Sequence, residues 1–185
     1  MNQEHPVISV FGSSRPVHGE PEYEIARVLG MLLAGAGFTV CNGGYGGTME
    51  ASARGAKEAD GKTIGVLCRM FGSTANPYID EIIMTESLSD RLAKLVELGS
   101  AYVVLRGGTG TLLELATVWE YMNKRVISHK AIVTVGSFWS PVVTTLKQEL
   151  LTKEWSVASG CVREVASPHE CLKLLLENEG NLKGS

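Results

Sequence analysis

The feature that most constrains the fold of this chain is a regular alternation of short apolar runs with segments of helical periodicity. The predicted strands are VISVF (residues 7–11), FTVC (38–41), TIGVL (63–67), IIM (82–84), AYVVL (101–105), AIVTV (131–135) and VREV (162–165). The predicted helices cover residues 22–33, 48–59, 87–98, 111–122 and 140–151, and a last helix opens at SPHE (167–170) and ends near residue 177. Continuous apolar runs are typical of strands buried on both faces. The alternation therefore predicts an α/β fold, a single Rossmann-like domain with a mostly parallel sheet and helices on both faces.

The length of the chain suits one such domain. With 185 residues it is long enough to bury a sizeable core. We find no internal repeat and no linker-like stretch that would separate a second domain. We expect one α/β domain over residues 1–185, with a core from about residue 6 to residue 177 and a frayed tail over residues 178–185.

Composition and charge exclude several classes of function. The net charge of −3 provides no basic field for a nucleic-acid backbone, so we expect no nucleic-acid partner. No apolar run reaches the ~18–20 residues that span a bilayer, and the first residues lack a signal-peptide pattern. The four cysteines form no CxxC pair and the four histidines are scattered, which predicts buried thiols and no metal site. These features are typical of a soluble, cytoplasmic protein.

Three glycine-rich turns follow predicted strands: GSSRPVHG (residues 12–19), NGGYGG (42–47) and RGGTGT (106–111). In a parallel sheet the loops after the carboxyl ends of the strands share the edge where ligands bind. Glycine allows the backbone to approach a ligand closely, and helix N-termini attract phosphate. A single such turn is equally consistent with a tight connection, whereas three together indicate a nucleotide or sugar phosphate. Neither a Walker A motif nor GxGxxG is present.

Two charged residues near these turns each have an ordinary structural explanation as well as a functional one. Thr111-Leu-Leu-Glu114 fits a capping box, in which threonine caps the helix and glutamate bonds back to the cap. Arg91, on the preceding predicted helix, fits a solvated surface arginine. Spacing alone leaves both alternatives open.

At these residues the sequence resembles the LOG family, formerly labelled as lysine decarboxylases. The family signature PGGxGTxxE corresponds to RGGTGTLLE (106–114), and its helical arginine corresponds to Arg91 within LSDRLAK. GSS (12–14) is similar to the opening CGSS segment, and NGGYGGTMEA is similar to the GGGxxGLMG turn. Three positions depart from the pattern: Arg106 replaces proline, Leu92 replaces a lysine, and the second turn continues as TMEA. This last variant resembles molybdenum-cofactor carrier proteins of the same superfamily.

The resemblance implies a phosphoribohydrolase, which splits a purine nucleoside 5′-monophosphate into free base and ribose 5-phosphate. It implies Glu114 and Arg91 as catalytic residues, with Glu114 stabilising an oxocarbenium-like transition state. It also implies binding of phosphate and substrate by the following residues: Gly107, Gly108, Thr109, Gly110, Thr111, Ser13, Ser14, Gly43, Gly44, Gly46 and Gly47. It implies no metal and no cofactor, and nothing in the sequence marks a lysine for the pyridoxal phosphate of a decarboxylase.

Family members assemble as homodimers, and the resemblance extends that expectation to this chain. Trp119, Tyr121 and Met122 are candidates for the interface, although large apolar residues more often pack in the core.

Other functions remain open from the sequence. A protein of this fold can hold a nucleotide or the molybdenum cofactor without hydrolysing it, and the altered second turn favours that alternative. A DNA-handling relative is disfavoured by the net charge. A purely structural domain would leave the three glycine turns unexplained.

Overall fold

The computed structural model describes residues 5–151 and 160–182. The strands are β1 (Val7–Phe11), β2 (Thr39–Asn42), β3 (Thr63–Cys68), β4 (Glu81–Thr85), β5 (Ala101–Val104), β6 (Ile132–Val135) and β7 (Val162–Val165). The helices are α1 (Pro21–Gly35), α2 (Thr48–Glu58), α3 (Leu88–Leu98), α4 (Thr109–Asn123), α5 (Ser140–Leu151) and α6 (Pro168–Leu182). A 3-10 turn, Arg69–Phe71, follows β3. In the described part of the chain, no helix is both long and apolar enough to cross a bilayer.

All seven strands form one parallel sheet in the order β4-β3-β2-β1-β5-β6-β7, which confirms the predicted α/β, Rossmann-like architecture. The chain builds one wing of the sheet outward from β1 to β4. It then crosses back to place β5 on the other side of β1, where Ile8 aligns with Ala101 and Phe11 with Val104. The strand order therefore reverses between β1 and β5. In open α/β sheets, the crevice beyond the strand ends at such a point is the usual ligand site.

Helices cover both faces of the sheet because side chains alternate between its faces along each strand. On β5, Val103 packs on one face with Leu29 of α1, while Tyr102 and Val104 pack on the other face with Leu95 of α3. The first core also includes residues of α2 and α6, and the second includes residues of α4 and α5. The two cores fix the positions of the helices, and through them the loops at the carboxyl edge.

The boundaries of some elements differ from the sequence prediction. Helix α4 begins at Thr109, before the predicted Thr111, and α6 continues to Leu182, past its predicted end near residue 177. Residues 1–4, 152–159 and 183–185 lie outside the described residues. The start of α6 is confirmed, since the Ser167 hydroxyl accepts a hydrogen bond from the Glu170 N–H at 3.3 Å.

Two predictions about buried residues are resolved by the cores. All four cysteines are buried and none forms a disulfide, as predicted. Trp119 and Met122 are buried in the second core, with Tyr121 packed against it. Trp119 and Met122 therefore have little surface left for a dimer interface, whereas Tyr121 is only partly buried and its assignment to an interface stays a prediction.

Candidate functional site

A cavity of about 1140 Å³ opens at the carboxyl ends of β1 and β5. It lies where the strand order reverses, because the loop after β1 and the loop after β5 both line it. The lining residues are Gly12, Ser13, Ser14, Arg15, Pro16, Glu20, Glu22, Tyr45, Met49, Phe71, Arg91, Arg106, Gly107, Gly108, Thr109, Gly110, Thr111, Glu114 and Phe138. The structure thus brings together the first and third glycine turns with Arg91 and Glu114.

The third glycine turn, residues 106–111, leads from β5 directly into α4. Gly108 is the N-cap, and no side chain caps the helix. The first N–H groups of a helix have no acceptor within it, and its N-terminus carries partial positive charge. A Cβ added at Gly108 or Gly110 would meet no atom within 4 Å, so open space lies beside both glycines. This helix end is suited to an anion that approaches the backbone closely.

The capping-box interpretation of Thr111 and Glu114 is wrong. Because α4 begins at Thr109, Thr111 is the third residue of the helix and not its cap. Thr111 is buried at 3% exposure, beneath the turn beside Gly107. Glu114 lies one turn further along the helix, and its side chain lines the cavity. The carboxylate is thus available for chemistry in the cavity.

The solvated-arginine interpretation of Arg91 is also wrong. Helix α3 opens with a capping box between Ser87 and Asp90, which places Arg91 in its first turn. The arginine is only 9% exposed, and its Nε donates a hydrogen bond to the carbonyl of Val66, within β3, at 2.8 Å. Its Nη1 lies 3.8 Å from Glu114 Oε1. Sequence spacing does not reveal this pair, because α3 and α4 meet only across the second core.

Burial dominates the electrostatics of Glu114. It raises the pKa of the carboxyl from 4.5 to about 7, because desolvation disfavours the charged form, while the Arg91 guanidinium partly offsets the effect. A carboxyl with a pKa near neutrality in a cleft is typical of a catalytic group.

The second glycine turn, residues 42–47, packs against the protein around it, and its predicted role in substrate binding stays a prediction. Gly43, Gly44, Gly46 and Gly47 are not among the residues that line the cavity. A Cβ at Gly43 would overlap Arg91 Nη2 and lie 2.6 Å from Met49 Sδ, and a Cβ at Gly47 would overlap the Ser13 carbonyl. Gly43 and Gly47 thus permit close packing of protein against protein. From this turn only Tyr45 reaches the cavity.

The loop after β1 contributes the predicted Ser13 and Ser14, and it also contributes a residue that the sequence analysis missed. Arg15 lines the cavity, and within residues 5–151 and 160–182 it forms no ion pair with a carboxylate. The other two arginines of the cavity are paired, Arg91 with Glu114 and Arg106 with Glu22 at 3.0 Å. Arg15 stands within the first glycine turn, and that position was a signal that could have identified it.

Aromatic residues of the cavity were missed as well. Tyr45, Phe71 and Phe138 all line it. Phe138 follows β6 and packs under Arg106, whose Cζ lies 5.1 Å from the ring centre. Phe71 stands on the 3-10 turn after β3, and 55% of its side chain is exposed. Tyr45 lies within the second glycine turn, whereas no sequence motif marks Phe71 and Phe138, because their loops reach the cavity only through the sheet topology.

The sequence model of the SLOG cluster4 family matches residues 5–172 of this chain. The chain belongs to the SLOG cluster4 family. A relative of this SLOG cluster4 protein is the cytokinin riboside 5′-monophosphate phosphoribohydrolase of Mycobacterium tuberculosis. The two are 35% identical over 115 residues, which make up 60% of this chain and 61% of the relative. The match therefore covers less than two thirds of the relative's length.

Solved structures of similar fold include molybdenum cofactor proteins. The molybdenum cofactor carrier protein of Chlamydomonas reinhardtii has a TM-score of 0.76 at 24% identity, covering 94% of this chain and 98% of its own. The molybdenum cofactor binding protein of Rippkaea orientalis has a TM-score of 0.73 at 26% identity, and the match covers 95% of this chain and 98% of that protein's chain. The first likeness shows a shared fold. This SLOG cluster4 chain thus has distant relatives named as nucleotide phosphoribohydrolases and structural neighbours named as cofactor carriers.

Proposed function

We propose that this protein hydrolyses the N-glycosidic bond of a purine nucleoside 5′-monophosphate, either AMP or a cytokinin riboside 5′-monophosphate. Water adds to the anomeric carbon, the bond from that carbon to the base nitrogen breaks, and its electrons leave with the base, which takes up a proton. The products are free base and ribose 5-phosphate. The observation that best supports this proposal is the buried pair of Arg91 and Glu114. The pair lies in the wall of the same cavity that the uncapped start of α4 lines.

The 5′-phosphate binds at the start of α4 in this proposal. The backbone N–H groups of residues 107–110, which include Thr109, face an anion there, and Thr111 adds its hydroxyl. The open space beside Gly108 and Gly110 supports this placement. Arg15, whose charge no carboxylate neutralises among the described residues, offsets the charge of the phosphate.

Glu114 lies about one turn along α4 from this phosphate site and lines the same cavity, so in this proposal it faces the ribose. A carboxylate beside the anomeric carbon stabilises the positive charge that develops as the glycosidic bond breaks. With a pKa of about 7, the carboxyl is partly ionised at neutral pH. It therefore also has the basicity to accept a proton from the attacking water.

Arg91 has an electrostatic role in this scheme. A guanidinium does not give up its proton near neutral pH, so it is not the acid that protonates the base. Its partial burial and its 3.8 Å contact with Glu114 instead support two other tasks. It keeps part of the Glu114 population ionised, and it stabilises negative charge as the base leaves.

The test is to incubate the purified protein with AMP and to follow adenine and ribose 5-phosphate by chromatography. We expect the wild type to release adenine and Glu114→Gln to be about 100-fold slower or worse, as is typical for the loss of an acid–base group. Glu120→Gln is the matched control, since Glu120 is an exposed glutamate on the same helix that contacts Lys124. Equal rates for Glu114→Gln and the wild type would contradict the assignment.

A second candidate is a carrier that binds a nucleotide or the molybdenum cofactor without hydrolysis. Two observations favour it: the likeness to cofactor-binding proteins at 26% identity, and a cavity larger than the ~300–1,000 Å³ usual for a small-molecule site. This candidate predicts that no adenine appears in that assay, while a thermal melt shows that AMP raises the melting temperature.

The homodimer, the single domain and the absence of a nucleic-acid partner, a metal and a cofactor stay predictions. Light scattering of the purified protein measures the assembly directly, and retention on DNA at low and high salt measures nucleic-acid binding.

A further inference from the structure

Tyr45 is presented to the cavity by a turn that is held from both sides. The buried Asn42 accepts a hydrogen bond from the Gly44 N–H at 2.8 Å and donates one to the Met49 carbonyl at 2.9 Å. From the other side, the Asn76 side-chain amide donates to the carbonyls of Gly44 and Tyr45, at 3.1 and 2.9 Å. Because both amides bond to the main chain, the position of Tyr45 is well defined.

The hydroxyl of Tyr45 connects this turn to the loop after β3. It accepts a hydrogen bond from the Cys68 N–H at 2.9 Å, and the carbonyls of Cys68 and Gly72 each lie 2.9 Å away as acceptors for its single proton. Cys68 and Gly72 flank the 3-10 turn Arg69–Phe71. The hydroxyl thus fixes both ends of the short segment that carries Phe71 into the cavity.

The ring of Tyr45 faces the guanidinium of Arg91. Arg91 Cζ lies 5.7 Å from the ring centre, within the range of a cation–π interaction. The strong hydrogen bond of Arg91 holds its Nε to Val66. Its terminal nitrogens make weaker contacts, with Met49 Sδ at 3.9 Å and with Glu114 at 3.8 Å, and Nη2 packs beside Gly43, where a Cβ would overlap it. The ring of Tyr45 is therefore a further restraint on where the terminal nitrogens point.

We infer that Tyr45 is a positioning residue, whose ring holds Arg91 against Glu114 and whose hydroxyl holds the Phe71 segment at the cavity. Only the expected effect of Tyr45 on catalysis rests on the proposed function. The placement of Arg91 can be tested in the protein without a substrate.

Two variants separate the two tasks. Tyr45→Phe keeps the ring and removes the hydroxyl, whereas Tyr45→Leu removes both. The first readout is the pKa of the Glu114 carboxyl, followed by ¹³C NMR and assigned with Glu114→Gln. An opposite charge within ~4–6 Å lowers the pKa of a carboxyl by about 1–3 units. We therefore expect Tyr45→Leu to raise the pKa of Glu114 by about 1 unit, and Tyr45→Phe to leave it unchanged.

Arg91→Met gives the highest pKa of Glu114 expected in this series, since it removes the guanidinium altogether. The other charged groups that line the cavity, Arg15, Glu20, Glu22 and Arg106, are the same in all variants. If Tyr45→Leu fails to fold, Tyr45→Met replaces it, because methionine also lacks an aromatic face. An unchanged pKa of Glu114 without the ring would overturn the inference, and so would an equal rise in Tyr45→Phe.

Catalysis supplies the second readout. We expect Tyr45→Leu to lower kcat for AMP about tenfold, since a partly desolvated cation–π contact is lost. Tyr45→Phe should chiefly raise KM, because the Phe71 segment is released while Arg91 stays in place. An unchanged kcat in Tyr45→Leu would overturn the catalytic part. If the wild type releases no adenine, the proposed function fails, and the pKa of Glu114 still decides whether Tyr45 positions Arg91.

Discussion

The two glycine turns at residues 42–47 and 106–111 have similar compositions and opposite uses. In the closed turn, residues 42–47, a Cβ at Gly43 or Gly47 would overlap protein atoms, and Gly47 has a φ of +69°. In the open turn, residues 106–111, a Cβ at Gly108 or Gly110 would meet nothing within 4 Å. Gly43 and Gly47 of the closed turn make room for the protein itself, whereas Gly108 and Gly110 of the open turn face open space. A glycine-rich motif therefore indicates that some group lies close to the backbone, but it does not say whether that group belongs to the protein or to a ligand.

The largest effect is expected in the closed turn. Gly47→Ala introduces both a strained φ and an overlap with the Ser13 carbonyl, so we expect a loss of about 3 kcal/mol in the free energy of unfolding. Denaturant melts measure it. Gly46→Ala is the control, since its Cβ would lie 3.8 Å from the Ser14 carbonyl in an ordinary contact. Equal stability of the two variants would show that the closed turn adapts more easily than its packing suggests.

The next effect concerns the carboxyl beside the open turn. Folding raises the pKa of Glu114 from 4.5 to about 7, so between these pH values the folded state binds more protons than the unfolded state. The stability of the wild type relative to Glu114→Gln should therefore fall by about 2 kcal/mol as the pH rises from 4.5 through 7, and then level off. Melts of both proteins across this range measure the difference. A constant difference would mean that Glu114 titrates normally.

The smallest effect on the fold is expected at the open turn itself. Gly108→Ala should leave the free energy of unfolding within about 0.5 kcal/mol of the wild type, since the added methyl group meets no atom. The same methyl group should weaken AMP binding about tenfold, because it occupies the space of the ligand. Calorimetric titration with AMP measures the affinity. A loss of stability with unchanged affinity would reverse the comparison between the two turns.

Most of the fold was predictable because the signals are local. The seven apolar runs and the helical periodicity between them are read along the chain, and each corresponds to an observed element. The end of α6 was less predictable, since polar residues after Glu177 do not mark where a helix stops.

The site was only partly predictable. The open turn and the pair Arg91 and Glu114 were anticipated from motif resemblance, and the structure brings them together. The sequence did not show that the four glycines of the closed turn do not line the cavity, nor did it identify Arg15, Tyr45 and Phe71 as residues that do. These features depend on which loops meet at the edge of the sheet.

The sequence by itself determined the α/β class and the positions of the glycine turns, because hydrophobic periodicity and backbone freedom are properties of neighbouring residues. The tertiary structure alone decided which turn is open, where Arg91 points and why the pKa of Glu114 is raised. Desolvation and close contact depend on atoms from distant parts of the chain. Here those atoms come from β3, α3 and α4. The folded sheet brings them together beside the cavity, which lies where the strand order reverses between β1 and β5.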